Sequence, residues 1–250
     1  MELKVIAYAR NGHTDKFGIP RQSREESPIL TRIVFEPEYN VREALRGIEG
    51  YSHLWLLWGF TNSQFTITNH QSPMTNDQSP ILPLQGGGGL SFSPTVRPPR
   101  LGGNKRMGVF ATRSPFRPNP IGLSSVRLLK VDGGELIVSG ADVLDGTPVY
   151  DIKPYLSFSD SHPDALNGFA EDTADYRLQL ANGDLLAANG VPESVARDIA
   201  YILCQDPRPA YQNDPFREYK MDYDGWKVSF RVGSDGRVYI LSLIRDADKF

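Results

Sequence analysis

Apolar and polar residues alternate with a period of two in LKVIAYAR (3–10) and PILTRIVFEP (28–37), which predicts two half-buried strands. Between 40 and 50, NVREALRGIEG predicts a short helix, with Asn40 as N-cap and Glu43 completing a capping box. HLWLLWGF (53–60) is a continuous apolar run, short enough for a buried strand. Residues 61–106 are rich in Asn, Gln, Ser, Pro and Gly and predict a long loop. Four more strands follow, in RMGVFATR (106–113), IGLSSVRLLKVDG (121–133), GELIVSGADVLDG (134–146) and TPVYDIKPY (147–155), with turn residues at 132–134 and 145–147.

These seven strand-like segments, read as about six strands, and one short helix are complete by roughly residue 155. A closed, mostly antiparallel barrel suits them, because closure removes exposed edges. From about residue 160 the pattern changes. YRLQLANGDLLAA predicts a hairpin around Asn182-Gly183, and PESVARDIAYILCQD a helix with Pro192 in its first turn. A second hairpin turns at GSDG in GWKVSFRVGSDGRVYILSLIR. The expected organisation is mainly β: a barrel domain over 1–160 and a smaller α+β domain over 161–250.

Composition adds little until charge is followed along the chain. The 250 residues carry a net charge of −3. From Gln78 to Val131 there is no Asp or Glu, while eight cations occur: Arg97, Arg100, Lys105, Arg106, Arg113, Arg117, Arg127 and Lys130. From Asp132 onward the chain carries −10. Such segregation points to an anionic partner for the middle segment, nucleic acid being the obvious class. No stretch is long and apolar enough to span a membrane, and the N-terminus reads as a strand rather than a signal peptide. The single cysteine, Cys204, excludes an internal disulfide and fits a reducing cytoplasm.

Several chemistries are excluded. No G-x-G-x-x-G follows a strand, and neither a phosphate-binding G-x-x-x-x-G-K nor H-E-x-x-H occurs. GLSSV lacks the second glycine of a nucleophile elbow. His13, His53, His70 and His162 show no metal-ligand spacing, so no metal is expected.

Three polar stretches remain. FGIPRQSR (17–24) presents Arg21 and Gln22 from a loop bracketed by Gly18 and Pro20. GVFATRSPFRPNPIGLSS (108–125) packs Pro115, Pro118 and Pro120 around Arg113 and Arg117. Prolines lower the entropy cost of fixing an arginine, so this stretch reads as a preorganised anion-binding corner. ADVLDGTPVYDIKPY (141–155) sets Asp142, Asp145 and Asp151 near Lys153. Asp145-Gly146 is also an ordinary turn.

FGIPRQ, GYSHLWLLWGF, RPPRLGGNKRMGVFATRSPFRPNPIGLS, DVLDGTPVYDIKPY and CQDPRPAY together resemble the TsaA-like family over most of the chain except residues 61–94. The resemblance implies a small β-barrel in place of the Rossmann sheet of most methyltransferases. It implies S-adenosylmethionine as cofactor and N6-methylation of N6-threonylcarbamoyladenosine beside the anticodon of threonine tRNA. It also implies a homodimer. By position it assigns Pro20, Arg21, Gln22, Phe60, Thr61, Arg113, Ile121, Asp142, Val143, Leu144 and Asp145 to cofactor binding. The resemblance brings no base with it; Asp145 is the residue chosen for that role. All these residues precede 146, so the C-terminal part is expected to be dispensable for cofactor binding. The segment 61–94 is longer than the family pattern. A non-catalytic RNA-binding or regulatory barrel is the alternative.

Overall fold

The computed structural model describes residues 3–20, 22–24, 26–60, 92–98, 105–173, 177–208 and 214–246. Six strands close into a barrel: β1 (Ala7–Arg10), β2 (Leu30–Phe35), β3 (His53–Gly59), β6 (Ile121–Asp132), β7 (Glu135–Ser139) and β8 (Pro148–Pro154). They follow one another as β1-β2-β7-β6-β3-β8, every pair antiparallel. β4 (Thr95–Val96) and β5 (Met107–Gly108) form a separate two-stranded ribbon.

The alternation explains the closure. Ala7 and Ala9 of β1, Ile33 of β2, Leu54, Leu56 and Trp58 of β3, Val126 of β6, and Leu136 and Val138 of β7 fill one buried cluster. The run at 53–60 forms the expected strand with alternating burial, Trp55 and Leu57 being half-buried outside. Each fully buried Leu or Val contributes roughly 1.5–3 kcal/mol relative to exposure. β6 and β7 turn at Gly133 and Gly134, whose φ values of +60° and +88° need glycine.

A second apolar cluster lies in the C-terminal half. Here β10 (Tyr219–Tyr223), β11 (Trp226–Val232) and β12 (Arg237–Arg245) run antiparallel, and β9 (Gln179–Leu180) adds to β12 in parallel. Helices α2 (Asp184–Ala188) and α3 (Glu193–Cys204) complete it, α3 burying Val195, Ile199, Ile202 and Leu203. A one-turn helix, α1 (Ser157–Asp160), follows β8. The segment between β1 and β2 reaches into this second cluster: Ile29 is buried in it, and Phe17 packs on Tyr219 and Phe230.

Three elements differ from expectation. Residues 40–50 form two 3-10 turns, Arg42–Leu45 and Ile48–Gly50, not a capped α-helix. Gly47 interrupts them at φ +87°, and the cap residue Val41 has no capping side chain. The strand at 106–113 ends at Gly108, and a 3-10 turn, Val109–Ala111, follows. No hairpin forms around Asn182-Gly183. The Asn182 side chain bonds the Ile240 backbone in both directions at 2.9 Å, and DLLAA becomes α2.

Candidate active site at the barrel mouth

The site arises where β7 stops short. Ser139 at the end of β7 pairs with Arg127, yet β6 runs back to Ile121. Residues 140–144 continue beyond β7 without forming a strand. Gly140, at φ +83°, makes the turn. Asp142 thereby reaches the inner face of β6.

Its carboxylate accepts a short hydrogen bond from the Ser124 hydroxyl, and that oxygen accepts one from Trp58 Nε1 at 2.8 Å. The relay needs Gly122, because a Cβ there would lie 2.2 Å from the Trp58 ring. The Ser23 amide also bonds the carboxylate, and Arg113 acts on it electrostatically. Arg113 Nη1 donates to Gln22 Oε1 at 2.5 Å. The Arg24 amide bonds Gly140 O at 3.3 Å, laying the 22–24 loop against the 140–142 segment. Burial pushes the Asp142 carboxyl up; the Ser124 hydroxyl, backbone amides and Arg113 oppose this without cancelling it.

The proline-rich corner presents Arg113. Arg117 Nη1 donates to Thr112 O at 2.7 Å, tying the corner to itself. Ser93 N–H donates to Phe116 O at 3.1 Å and Val109 N–H to Pro94 O at 3.0 Å, which tie it to the β4–β5 ribbon. Phe60 stacks edge-on against Trp58 at 4.4 Å, and its amide bonds Pro120 O at 3.0 Å.

Of the residues assigned by sequence, Gln22, Arg113 and Asp142 meet in one network. Phe60 borders it through Trp58, and Pro20 is half-buried two residues before Gln22. Ile121 opens β6 at the same mouth. Val143 and Leu144 are buried, so backbone groups are what they offer, and Val143 O already accepts from Asn11 Nδ2 at 3.0 Å. Asp145 belongs to another group. Its carboxylate accepts the Asn11 amide at 3.1 Å and lies 3.6 Å from Arg10. Together with Leu30, Arg32 and Ile137, these three residues line an open cavity of about 530 Å³. Asp151 pairs with Lys153 at 2.8 Å. Arg21 and Thr61 lie outside the described residues.

Sequence reasoning missed Ser124, Trp58 and Ser23. A small polar residue in an apolar strand, at GLSSV, was the signal for Ser124. Among the described residues, no group of three or more His, Cys, Asp or Glu could hold a metal, and no helix is long and apolar enough to cross a membrane.

Residues 8–161 match the model of the tRNA-methyltransferase O N-terminal domain, and residues 171–246 that of the TrmO C-terminal domain. A tRNA (adenine(37)-N6)-methyltransferase of Escherichia coli is 38% identical over 240 residues, covering 92% of this chain and 91% of the relative. A putative S-adenosylmethionine-dependent methyltransferase, RcsF, of Pseudomonas aeruginosa is 40% identical over 225 residues, covering 87% and 86%. The crystal structure of TrmO from Pseudomonas aeruginosa superposes with a TM-score of 0.68 at 30% identity, covering 98% of both chains.

Proposed function

This chain belongs to the tRNA-methyltransferase O family, and from that premise we propose that it transfers a methyl group from S-adenosylmethionine to N6 of the adenine at position 37 of tRNA. The finer reading is that the adenine already carries a threonylcarbamoyl group and that the tRNA is threonine tRNA. The observation that carries the reading is the convergence of Gln22, Ser23, Arg113, Ser124 and Asp142 on one network at the barrel mouth.

The residues suit this cofactor. Arg113, braced by Gln22, is a planar donor for a carboxylate. Asp142 is a carboxylate kept partly out of water, complementary to a cationic ligand. When bound, the cofactor supplies an electrophilic methyl group on a sulfonium. Methyl transfer then depends on alignment, which the residues around Arg113 and Asp142 provide by holding both partners. The target nitrogen bears a proton that a base must accept. The reading gives that role to Asp142, a carboxylate in the Arg113 network whose pKa burial raises, which strengthens it as a proton acceptor. Asp145 lies in a separate group with Asn11 and Arg10, outside that network.

The protein acts as a homodimer in the cytoplasm in this reading. Support for the dimer is an apolar outer face on the barrel, where exposed Ile121 and Leu123 of β6 run beside Leu57 of β3. Sedimentation of the purified protein tests the dimer. Nucleoside mass spectrometry of tRNA from cells lacking the chain tests the reaction: the methylated nucleoside should vanish and its unmethylated precursor accumulate. Unchanged tRNA would refute the reading. Equal methylation of unmodified transcript and threonylcarbamoylated tRNA would refute the finer substrate.

A further inference from the structure

Phe110 is 72% exposed, yet its ring is held in place. The Phe92 ring stacks beside it, centroids 6.4 Å apart and planes 27° from parallel. The Arg117 guanidinium lies 5.7 Å from its centroid. Arg117 is fixed in turn by the carbonyls of Thr112 at 2.7 Å and of Val109 and Ser114 at 3.4 Å, in and beside the turn that carries Phe110. Val109, the preceding residue, is 1% exposed and anchors the backbone. Water is a poor partner for so large an apolar face, and the fold spends an arginine and a second aromatic on orienting it.

The surroundings narrow the partner. Arg97 follows β4 and Arg106 precedes β5 in the ribbon next to Phe92 and Phe110 in the chain, and Arg113 follows Phe110 by three residues. The sequence offers no acid between Gln78 and Val131. A fixed aromatic face bordered by arginines is the combination that holds an unpaired nucleobase and its phosphates. Three residues span at most about 10 Å of chain. A base on Phe110 would therefore be a near neighbour of one entering the Arg113–Asp142 mouth.

We infer that Phe110 is a stacking platform for an unpaired nucleobase of the substrate RNA, adjacent to the nucleotide that receives the methyl group. The inference rests on the tRNA methyltransferase reading. Its role is to keep the neighbour stacked while the target base leaves the loop stack, which offsets part of the unstacking cost.

The test uses the full-length protein and a synthetic anticodon stem–loop RNA carrying a fluorescent purine analogue at each loop position in turn. Wild-type protein should alter the fluorescence at one position as that base stacks on the ring. Phe110→Ala should abolish that signal and weaken RNA binding about 5- to 100-fold. S-adenosylmethionine affinity should not change, nor should the slope of binding against salt, because no phosphate contact is lost. Phe110→Trp should keep the signal, and Phe110→Leu, apolar but without a π face, should not restore it. Wild-type RNA affinity in Phe110→Ala, or full rescue by leucine, would overturn the platform. So would an altered sedimentation profile with RNA binding intact, which would make the surface a protein contact. If wild-type protein methylates tRNA and Phe110→Ala does so equally, the platform alone falls. If wild-type protein binds neither cofactor nor RNA, the parent reading falls with it.

Discussion

Arg113 and His13 show how burial decides what a charged group does. Arg113 is exposed, and its value lies in geometry: one nitrogen is fixed on Gln22, so the guanidinium plane is set. Lysine would keep the charge and lose the plane. Arg113→Lys is therefore expected to weaken S-adenosylmethionine binding nearly as much as Arg113→Ala, by about 30-fold, the low end for a broken charged pair at a solvent-screened site. Calorimetry on both variants checks this, and wild-type affinity in the lysine variant would reduce Arg113 to a surface cation. His13 is the opposite case. It is fully buried, edge-on to Tyr223 at 5.3 Å, and neither ring nitrogen has a hydrogen-bond partner. Burial lowers its pKa from 6.5 to about 4. The folded imidazole stays neutral while the unfolded one takes up a proton below about pH 6.5, so its stability contribution is full above that pH and is lost on descent to about pH 4. The shift is worth about 3 kcal/mol. His13→Phe keeps the aromatic contact and removes the titration. In urea titrations, wild type should lose about 2–3 kcal/mol more than His13→Phe between pH 7 and pH 4.5. Parallel losses would show that the ring protonates in place.

At the scale of elements, the barrel was legible because alternation registers directly which face of a strand is buried. The same code was silent about where strands stop. In GELIVSGADVLDG only Gly140 hints that pairing ends at Ser139, the stop that lets Asp142 reach Ser124. Gln22 and Arg113 stand out as polar residues in proline-bracketed loops, whereas Asp142 sits in a predicted strand and is singled out by its clustered acids and the family resemblance. The Trp58–Ser124 contact was not legible, because it depends on register between β3 and β6, with Trp58 opposite Gly122. The capped helix at 40–50 and the hairpin at 182–183 failed for a related reason: local capping and turn signals lost to Gly47 and to the Asn182 bonds with β12. Gly122 is where the element and the site meet. A methyl group there meets the Trp58 ring at 2.2 Å, and core overpacking of this kind costs roughly 1–3 kcal/mol. Gly122→Ala should lower the melting temperature and also weaken cofactor binding, since Trp58 cannot shift without disturbing Ser124 and Asp142. Lower stability with unchanged cofactor affinity would show that the Trp58–Ser124–Asp142 relay is not part of the site.

For the whole molecule, the packing of the segment between β1 and β2 argues against an expectation drawn from chain order. Every assigned cofactor residue precedes 146, which suggests that the C-terminal part could be removed without loss of cofactor binding. But the loop carrying Gln22 and Ser23 is moored in that part at both ends. Before it, Phe17 packs on Tyr219 and Phe230, Gly18 lies against Ile202 and Met221, and the Asp224 amide bonds Gly12 O at 2.9 Å. After it, Glu26 pairs with Arg177, and Ile29 is buried among the C-terminal apolar residues. Removing 165–250 strips the packing from both ends, and an ordered loop then costs about 1–2 kcal/mol per residue of backbone entropy that nothing offsets. The truncated barrel should therefore bind S-adenosylmethionine at least tenfold more weakly, even where circular dichroism shows its strands intact. Phe17→Ala in the full chain separates this from general unfolding. It loosens one mooring and leaves the barrel cluster untouched, so it should weaken cofactor binding several-fold while the melting curve stays cooperative. Wild-type affinity in both proteins would mean that the 22–24 loop holds its geometry from the barrel side alone, through Arg24 on Gly140 and Ser23 on Asp142.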